Sequence, residues 1–297
     1  MKLLTALLTL GIAAAPAAAQ RADTATYKLS LLAADRALAT DIVTRGAGAF
    51  LDRLAVNATV LIPDAPAYRS AAEARAPWLA RYATPGTRFV HEAQHAVVGV
   101  DGVFGCVVGL TRLFVKGDKS DTPRYGRYIA CWRRAGEREP WKVVGYTCTN
   151  DAPGTPVPSG TLEHPPHSAR VRAAANGELH AAQDADSAFA AMSPKYGPGE
   201  AFGTWSAADA MMIGLAPKPR QGPAAIRDAF KSFPKDGVFQ WAPDRALGDA
   251  AGGLAFTSGE AFNVVAGKRT NTKYITVWRL EPGGAWRFIF DSGSERP

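Results

Sequence analysis

Beyond its first nineteen residues the chain has no apolar run long enough for a membrane-spanning helix, which takes roughly 20 residues. The body of the chain is therefore expected to be soluble, with no membrane as a partner. Cysteine is scarce: Cys106, Cys131 and Cys148 are the 3 present in 297 residues, all in the first half. Their spacing matches no zinc-binding pattern. An odd count allows at most one internal bridge, so one disulfide and three buried thiols both stay open. Clusters of Lys and Arg interleaved with aromatics are missing, which argues against nucleic acid as a partner. Also missing are a phosphate-cradling glycine loop, a zinc-protease helix motif and a nucleophile elbow. No cofactor and no metal site is expected.

What is present begins with an address. Met1-Lys2 is a short positive start, Leu3 to Ile12 is mostly apolar, and Ala17-Ala18-Ala19 before Gln20 fits a small-residue cleavage site. Residues 1–19 are expected to be a signal peptide, and the mature protein is expected in the periplasm or secreted. That compartment permits a disulfide. Lys and Arg number 34 against 27 Asp and Glu, a mild excess of +7 spread along the chain. It suits an anionic ligand or plain solubility equally well.

The remainder repeats itself. Tyr128-Ile129-Ala130-Cys131-Trp132-Arg133 matches Tyr274-Ile275-Thr276-Val277-Trp278-Arg279. Each run is followed by a polar turn and a second tryptophan, Trp141 or Trp286. Upstream, Gly48-Ala49-Phe50 matches Gly199-Glu200-Ala201-Phe202 with one residue of slack, and Asn57–Val60 falls on Asp209–Met212. Phe104 to Gly109 falls on Leu254 to Gly259. The order is the same throughout, so two domains are expected, at 25–149 and 178–295. Between them, 150–177 is rich in proline and reads as a semi-extended linker. His164 and His167 inside it read as solvated histidines.

Each unit reads helices first and strands after. Apolar residues at helical spacing mark 25–44, 49–54 and 71–82 in the first unit, with Pro77 suggesting a kink or a late start. In the second they mark 178–192, 199–206 and 223–232. Four strands follow in each unit, at 89–100, 103–116, 124–134 and 141–148, then at 238–247, 253–265, 272–280 and 286–292. Val100-Asp101-Gly102-Val103 is a two-residue hairpin signal. Helices followed by an antiparallel meander give an α+β class, with helices on one face of a curved sheet.

Two stretches of the second unit, Lys273 to Arg279 and Gly283-Gly284-Ala285-Trp286-Arg287 with Phe290-Asp291-Ser292-Gly293, carry a family likeness. Residues 180–295 resemble the SnoaL-like group of the nuclear-transport-factor-2-like superfamily, in particular its bacterial calcium/calmodulin-kinase-association-like branch. The first unit resembles it less, because Tyr146-Thr147 stands where the second has Asp291-Ser292. The resemblance implies two tandem cones, each a curved sheet wrapped around N-terminal helices with an apolar pocket at the wide end. Members include isomerases, cyclases, dehydratases, hydrolases and pure binding modules, so the fold alone decides little.

Strand alternation supplies candidate site residues. If Leu280 pairs with Ala285, then Trp278 faces Arg287, Thr276 faces Ile289 and Tyr274 faces Asp291. That mixed set reads as a pocket wall, and Ile275, Val277, Trp286, Phe288 and Phe290 read as a packing face. Asp291 is the candidate catalytic base, its pKa raised by an apolar cone, with Tyr274 as the polarising donor. An ion pair of Asp291 with Arg287 or Arg279 is the plainer reading. Trp278, Trp205, Met212 and Ile289 are candidate ligand contacts in the second unit, and Tyr128, Trp132, Tyr146 and His91 in the first. His91 and His95, four apart on one strand, are expected on one face, about 13 Å apart at ~3.3 Å per residue and so poor chelators. The expected function is binding of a small, largely apolar molecule. The alternatives are acid/base catalysis through Asp291 and a structural interaction module. The superfamily commonly dimerises through the outer sheet face. An internal pseudo-dimer is therefore expected, pairing Ile275, Val277, Phe288 and Phe290 with Ile129, Cys131, Val143 and Gly145. A homodimer is the other form this contact can take.

Overall fold

The computed structural model describes residues 17–115, 123–149, 178–214, 219–248 and 253–296. The expected linker and most of the expected signal peptide lie outside these residues. The first unit runs α1 (Ala17–Arg45), α2 (Ala49–Arg53), β1 (Leu54–Leu61), β2 (Ala67–Tyr68), α3 (Ala71–Tyr82), β3 (Thr87–Val98), β4 (Phe104–Val115), β5 (Arg124–Arg133) and β6 (Lys142–Cys148). The second repeats the order: α4 (Glu178–Tyr196), α5 (Pro198–Trp205), β7 (Ser206–Ile213), β8 (Arg220–Gln221), α6 (Gly222–Asp228), β9 (Val238–Gly248), β10 (Leu254–Val265), β11 (Lys268–Leu280) and β12 (Trp286–Glu295). The class is α+β, two tandem domains.

Each sheet has six strands rather than four. The orders are β2-β1-β6-β5-β4-β3 and β8-β7-β12-β11-β10-β9, and β1 and β7 join β6 and β12 in parallel. The sequence reading left β1 and β7 out. Both run apolar at their ends, as in Thr59-Val60-Leu61 and Met211-Met212-Ile213, and are buried on both faces there, so they show no alternation. Helix α3 starts on Ser70, whose Oγ accepts the Glu73 N–H at 3.2 Å while the Glu73 carboxylate accepts the Arg69 N–H at 2.8 Å. It then runs on through Pro77.

Four bulges in the antiparallel pairs decide which way side chains point. The β3–β4 register slips between Ala93 and His95, leaving Gln94 as the extra residue, and β9–β10 slips at the equivalent Asp244. The β5–β6 register slips at Val144, and β11–β12 at Ile289. A one-residue slip transfers every later side chain to the other face. Three expectations fail for this reason. His91 lies on the helix-covered face beside Tyr146, whereas His95 lies on the outer face, 6.0 Å from the Phe290 ring of the second unit. Phe288 pairs with Trp278 and packs on Phe189 of α4, so it belongs inside, while Phe290 pairs with Val277 outside. Val143 likewise pairs with Trp132 in the first core. The facing pairs are thus Trp278 with Phe288, Thr276 with Asp291 and Tyr274 with Gly293.

The outer faces of the two sheets pack on each other. The Phe104 and Phe256 rings stack at 6.4 Å, and Phe256 also lies over Gly145. Leu61, Val97, Cys106, Ile129, Cys131 and Val144 join one apolar cluster with the second unit. Cys106 and Cys131 stand opposite each other in that face and form a disulfide, leaving Cys148 a buried thiol. Polar groups ring the contact: Arg69 reaches Asp244 and, at 3.1 Å, Ser258 Oγ, while Arg245 reaches Thr59 Oγ1 at 3.2 Å.

Gly145 is a point of close approach on this face. A Cβ there would lie 2.7 Å from the Phe256 ring. Gly145→Leu is therefore expected to destabilise the chain by ~1–3 kcal/mol, the usual cost of overpacking. Denaturant titration of Gly145→Leu with and without Phe256→Ala checks this, because part of the loss should disappear once the ring is gone.

Candidate functional site

The same clasp holds helix to sheet in both units. In α1, Leu31, Asp35, Leu38 and Ile42 form the buried stripe, and Asp35 Oδ1 accepts the Tyr128 hydroxyl at 2.6 Å. In α4, Ala182, Asp186, Phe189 and Ser193 form it, and Asp186 Oδ2 accepts the Tyr274 hydroxyl at 2.9 Å. The Trp241 indole donates to the other Asp186 oxygen at 3.0 Å. Burial pushes both carboxyls up to about 6, against the lowering effect of those donors. Neither aspartate was singled out from the sequence.

The interiors then diverge. The first cone is filled. Helix α3, with 12 residues, carries Trp78 and Tyr82 inward; Trp78 stacks on Phe50 at 3.9 Å, with Tyr146 against both. Of the first-unit candidates, Tyr128, Trp132 and Tyr146 are fully buried and His91 nearly so. His91 Nε2 meets the Tyr146 hydroxyl at 2.9 Å, and its ring stacks on Tyr128 at 4.0 Å. Burial drives the His91 pKa down to about 3, so the ring is neutral. These four side chains form a packed core.

The second cone is hollow. Helix α6 has only 7 residues, and the turns that follow bring Phe230 and Phe233 to the wall instead of a plug in the centre. A cavity of about 530 Å³ remains, its wall formed by Phe189, Phe202, Phe230, Phe233, Phe239 and Trp241. Its polar lining includes Tyr274, Thr276 and Asp291, and its edge takes in Pro63, Asp64 and Thr149 of the first unit. Of the second-unit candidates, Asp291, Tyr274 and Met212 line this space. Trp278 lies in the core, its indole donating to Thr257 Oγ1 at 2.8 Å and its ring 6.1 Å from Trp205. Ile289 is the fully buried bulge residue. The Trp205 ring carries the Arg287 guanidinium 5.5 Å from its centre.

Asp291 accepts the Thr276 hydroxyl at 2.6 Å. Arg279 is engaged by Asp209 and Glu281, so the expected ion pair with Asp291 does not form. Burial pushes the Asp291 carboxyl up to about 7; the Thr276 bond opposes this and the Asp186 charge adds to it. The Tyr274 hydroxyl, expected as a donor to ligand, spends its proton on Asp186 and offers the cavity lone pairs. Among the described residues no group of three or more His, Cys, Asp or Glu is placed to hold a metal ion.

No protein-family model matches the sequence, and no curated protein matches it. Among solved structures, a ketosteroid isomerase-like protein from Erwinia carotovora atroseptica is 13% identical, over 40% of this chain and 97% of that one, with a TM-score of 0.36. A domain of unknown function with a cystatin-like fold from Nostoc punctiforme is 17% identical, over 43% and 79%, with a TM-score of 0.35. A nuclear-transport-factor-2-like protein with a cystatin-like fold from Novosphingobium aromaticivorans is 15% identical, over 39% and 80%, with a TM-score of 0.32. Each spans about the length of one unit. Each unit is itself α+β, with a six-stranded sheet in the order β2-β1-β6-β5-β4-β3 or its repeat β8-β7-β12-β11-β10-β9.

The raised pKa of Asp291 sets a sign for stability. The folded state holds this proton up to about pH 7, whereas the unfolded chain releases it near the ordinary value of 3.8. Between those limits the folded state binds more protons, so stability falls as pH rises and levels off above the upper one. Asp291→Asn removes that loss. It should raise the melting temperature by roughly 2–4 °C per kcal/mol recovered at about pH 8, and change it little at about pH 4. Equal shifts at both pH values would contradict the assignment.

Proposed function

We propose that the second unit binds a small, largely apolar molecule in its cavity, with the first unit as a packed scaffold. The supporting observation is the cavity itself: about 530 Å³, walled by six aromatic residues, with Asp291, Thr276 and Tyr274 among its polar lining. Ligand sites have this size and this mixture. A second reading, acid/base catalysis, is favoured by one feature: Asp291 lines the cavity, and burial there raises its carboxyl to about 7, where a general base works best at neutral pH. Under that reading Asp291→Asn abolishes turnover.

The covered outer faces support an internal pseudo-dimer that behaves as one chain. Light scattering should return a monomer mass, and a dimer mass would reject this. The N-terminal pattern supports export to the periplasm or beyond, and the Cys106–Cys131 bridge fits an oxidising compartment. Release by osmotic shock of protein beginning at Gln20 is the expected result, and retention of the first nineteen residues inside the cell would refute it.

Binding is tested by filling the space. Ala261 lines the cavity on β10, opposite Trp241. Native mass spectrometry should find a small molecule on the wild-type protein purified from its own host. Ala261→Trp should lose it while keeping a melting temperature close to wild type. Retention of the ligand by Ala261→Trp would place the ligand elsewhere.

A further inference from the structure

The polar groups at Asp291 share one polarity. Thr276 gives its hydroxyl proton to Asp291, and Tyr274 gives its proton to Asp186. Asp291 is a carboxylate, an acceptor when ionised. Above about pH 7, with Asp291 ionised, all three therefore present lone pairs to the space, and none has a proton left to donate. The charge inventory agrees. The ionisable lining residues are Asp64, Asp291, Glu295 and Tyr274; among the described residues the lining has no Lys, Arg or His. Arg81 and Lys273 lie close by but are engaged, Arg81 with Asp64 at 3.5 Å and the Lys273 ammonium with the Glu295 carbonyl at 2.9 Å. Arg279, further along β11 toward its turn into β12, is held by Asp209 and Glu281.

An anionic ligand here would place a second negative charge beside Asp291 in an apolar cone, which is costly without a cation. At Asp291, Thr276 and Tyr274 a ketone or ester brings only acceptors to acceptors; the donors of Asn263, Thr272 and Ser294 belong to other parts of the lining. A primary amine brings three N–H donors and a positive charge, and no acceptor. The wall suits it as well: aromatic faces attract an ammonium within about 6 Å of the ring centre. The Phe189 and Trp241 rings lie 4.4 Å apart and the Phe239 and Trp241 rings 5.4 Å apart, a continuous aromatic surface for the rest of the molecule.

We propose that the cavity of the second unit takes an apolar molecule carrying a cationic amine, with the ammonium seated on Asp291 and hydrogen-bonded by the oxygens of Thr276 and Tyr274. This rests on the reading of the cavity as a ligand site and narrows it to one chemical class.

The test uses the full chain and three probes that share one skeleton: naphthylmethylamine, naphthylmethanol and naphthoate. Calorimetric titration at about pH 8, above the pKa of about 7, keeps Asp291 ionised. The amine should bind about tenfold or more tightly than the alcohol, a difference of roughly 1.4 kcal/mol, with naphthoate weakest. In Asp291→Asn the amine should fall to the affinity of the alcohol, and the alcohol should keep its own. Alcohol or naphthoate binding as tightly as the amine would overturn the amine and leave the cavity a ligand site. An amine preference that survives Asp291→Asn would overturn it too. Failure of all three probes at millimolar concentration would remove the ligand site itself. The wild-type series decides the matter even if the variant does not fold.

Discussion

Each sheet is bent by two bulges at matched places, Gln94 and Val144 in the first unit and Asp244 and Ile289 in the second. A bulge adds twist and moves the following residues to the opposite face. Without the slip at Ile289, Phe288 and Phe290 would share a face, and one of them would be misplaced. With it, Phe288 enters the cone against Phe189 while Phe290 joins Val277 on the outer face. The slip at Gln94 does the same for His91 and His95. A sheet that carries apolar residues on both sides is thereby sorted into an interior and a contact surface.

The contact surface follows from that sorting. Phe104, Cys106, Ile129, Cys131 and Val144 are left outside on the first sheet, and Phe256, Val277 and Phe290 on the second. Exposed, they would form a large apolar patch, which monomers seldom tolerate. Packing the two faces together buries both, and Gly145 supplies the recess for the Phe256 ring. Arg69 and Arg245 close the margin through side chains of the opposite unit. The duplication thus acts as a structural solution: each unit covers the face that the other cannot leave bare.

Much of this was legible in the sequence. Repeated Tyr-x-x-x-Trp-Arg runs gave the duplication, and apolar periodicity gave the long helices and the meander strands. Strands β1 and β7 were not legible, because a parallel strand buried on both faces has no alternation to read. Side-chain direction past a bulge was not legible either, since Gln94 and Ile289 look like ordinary strand residues until the partner strand fixes the register. Asp35 and Asp186 are a different case. The stripes Leu31, Asp35, Leu38, Ile42 and Ala182, Asp186, Phe189, Ser193 have identical spacing. Aligned residue by residue, the two helices carry an aspartate at the same place on each apolar face.

Those two aspartates also explain how one interior differs from the other. Asp35 and Asp186 each take a tyrosine hydroxyl from the same strand position, so the helix-to-sheet clasp is common property. At the position paired with Ala130 the first unit has Tyr146, which fills space against Phe50 and Trp78. At the position paired with Thr276 the second unit has Asp291, which fills less and carries a charge. The shorter α6 withholds the ring that would occupy the gap. Asp186, supported by Thr257, Tyr274 and Trp241, then lies behind Asp291, which has Thr276. Burial raises both carboxyls, and the charge of Asp186 adds to the rise at Asp291. A tyrosine exchanged for an aspartate and a helix cut short convert a packed core into a cavity with a titratable carboxylate in its lining, while the clasp that holds the cone stays the same.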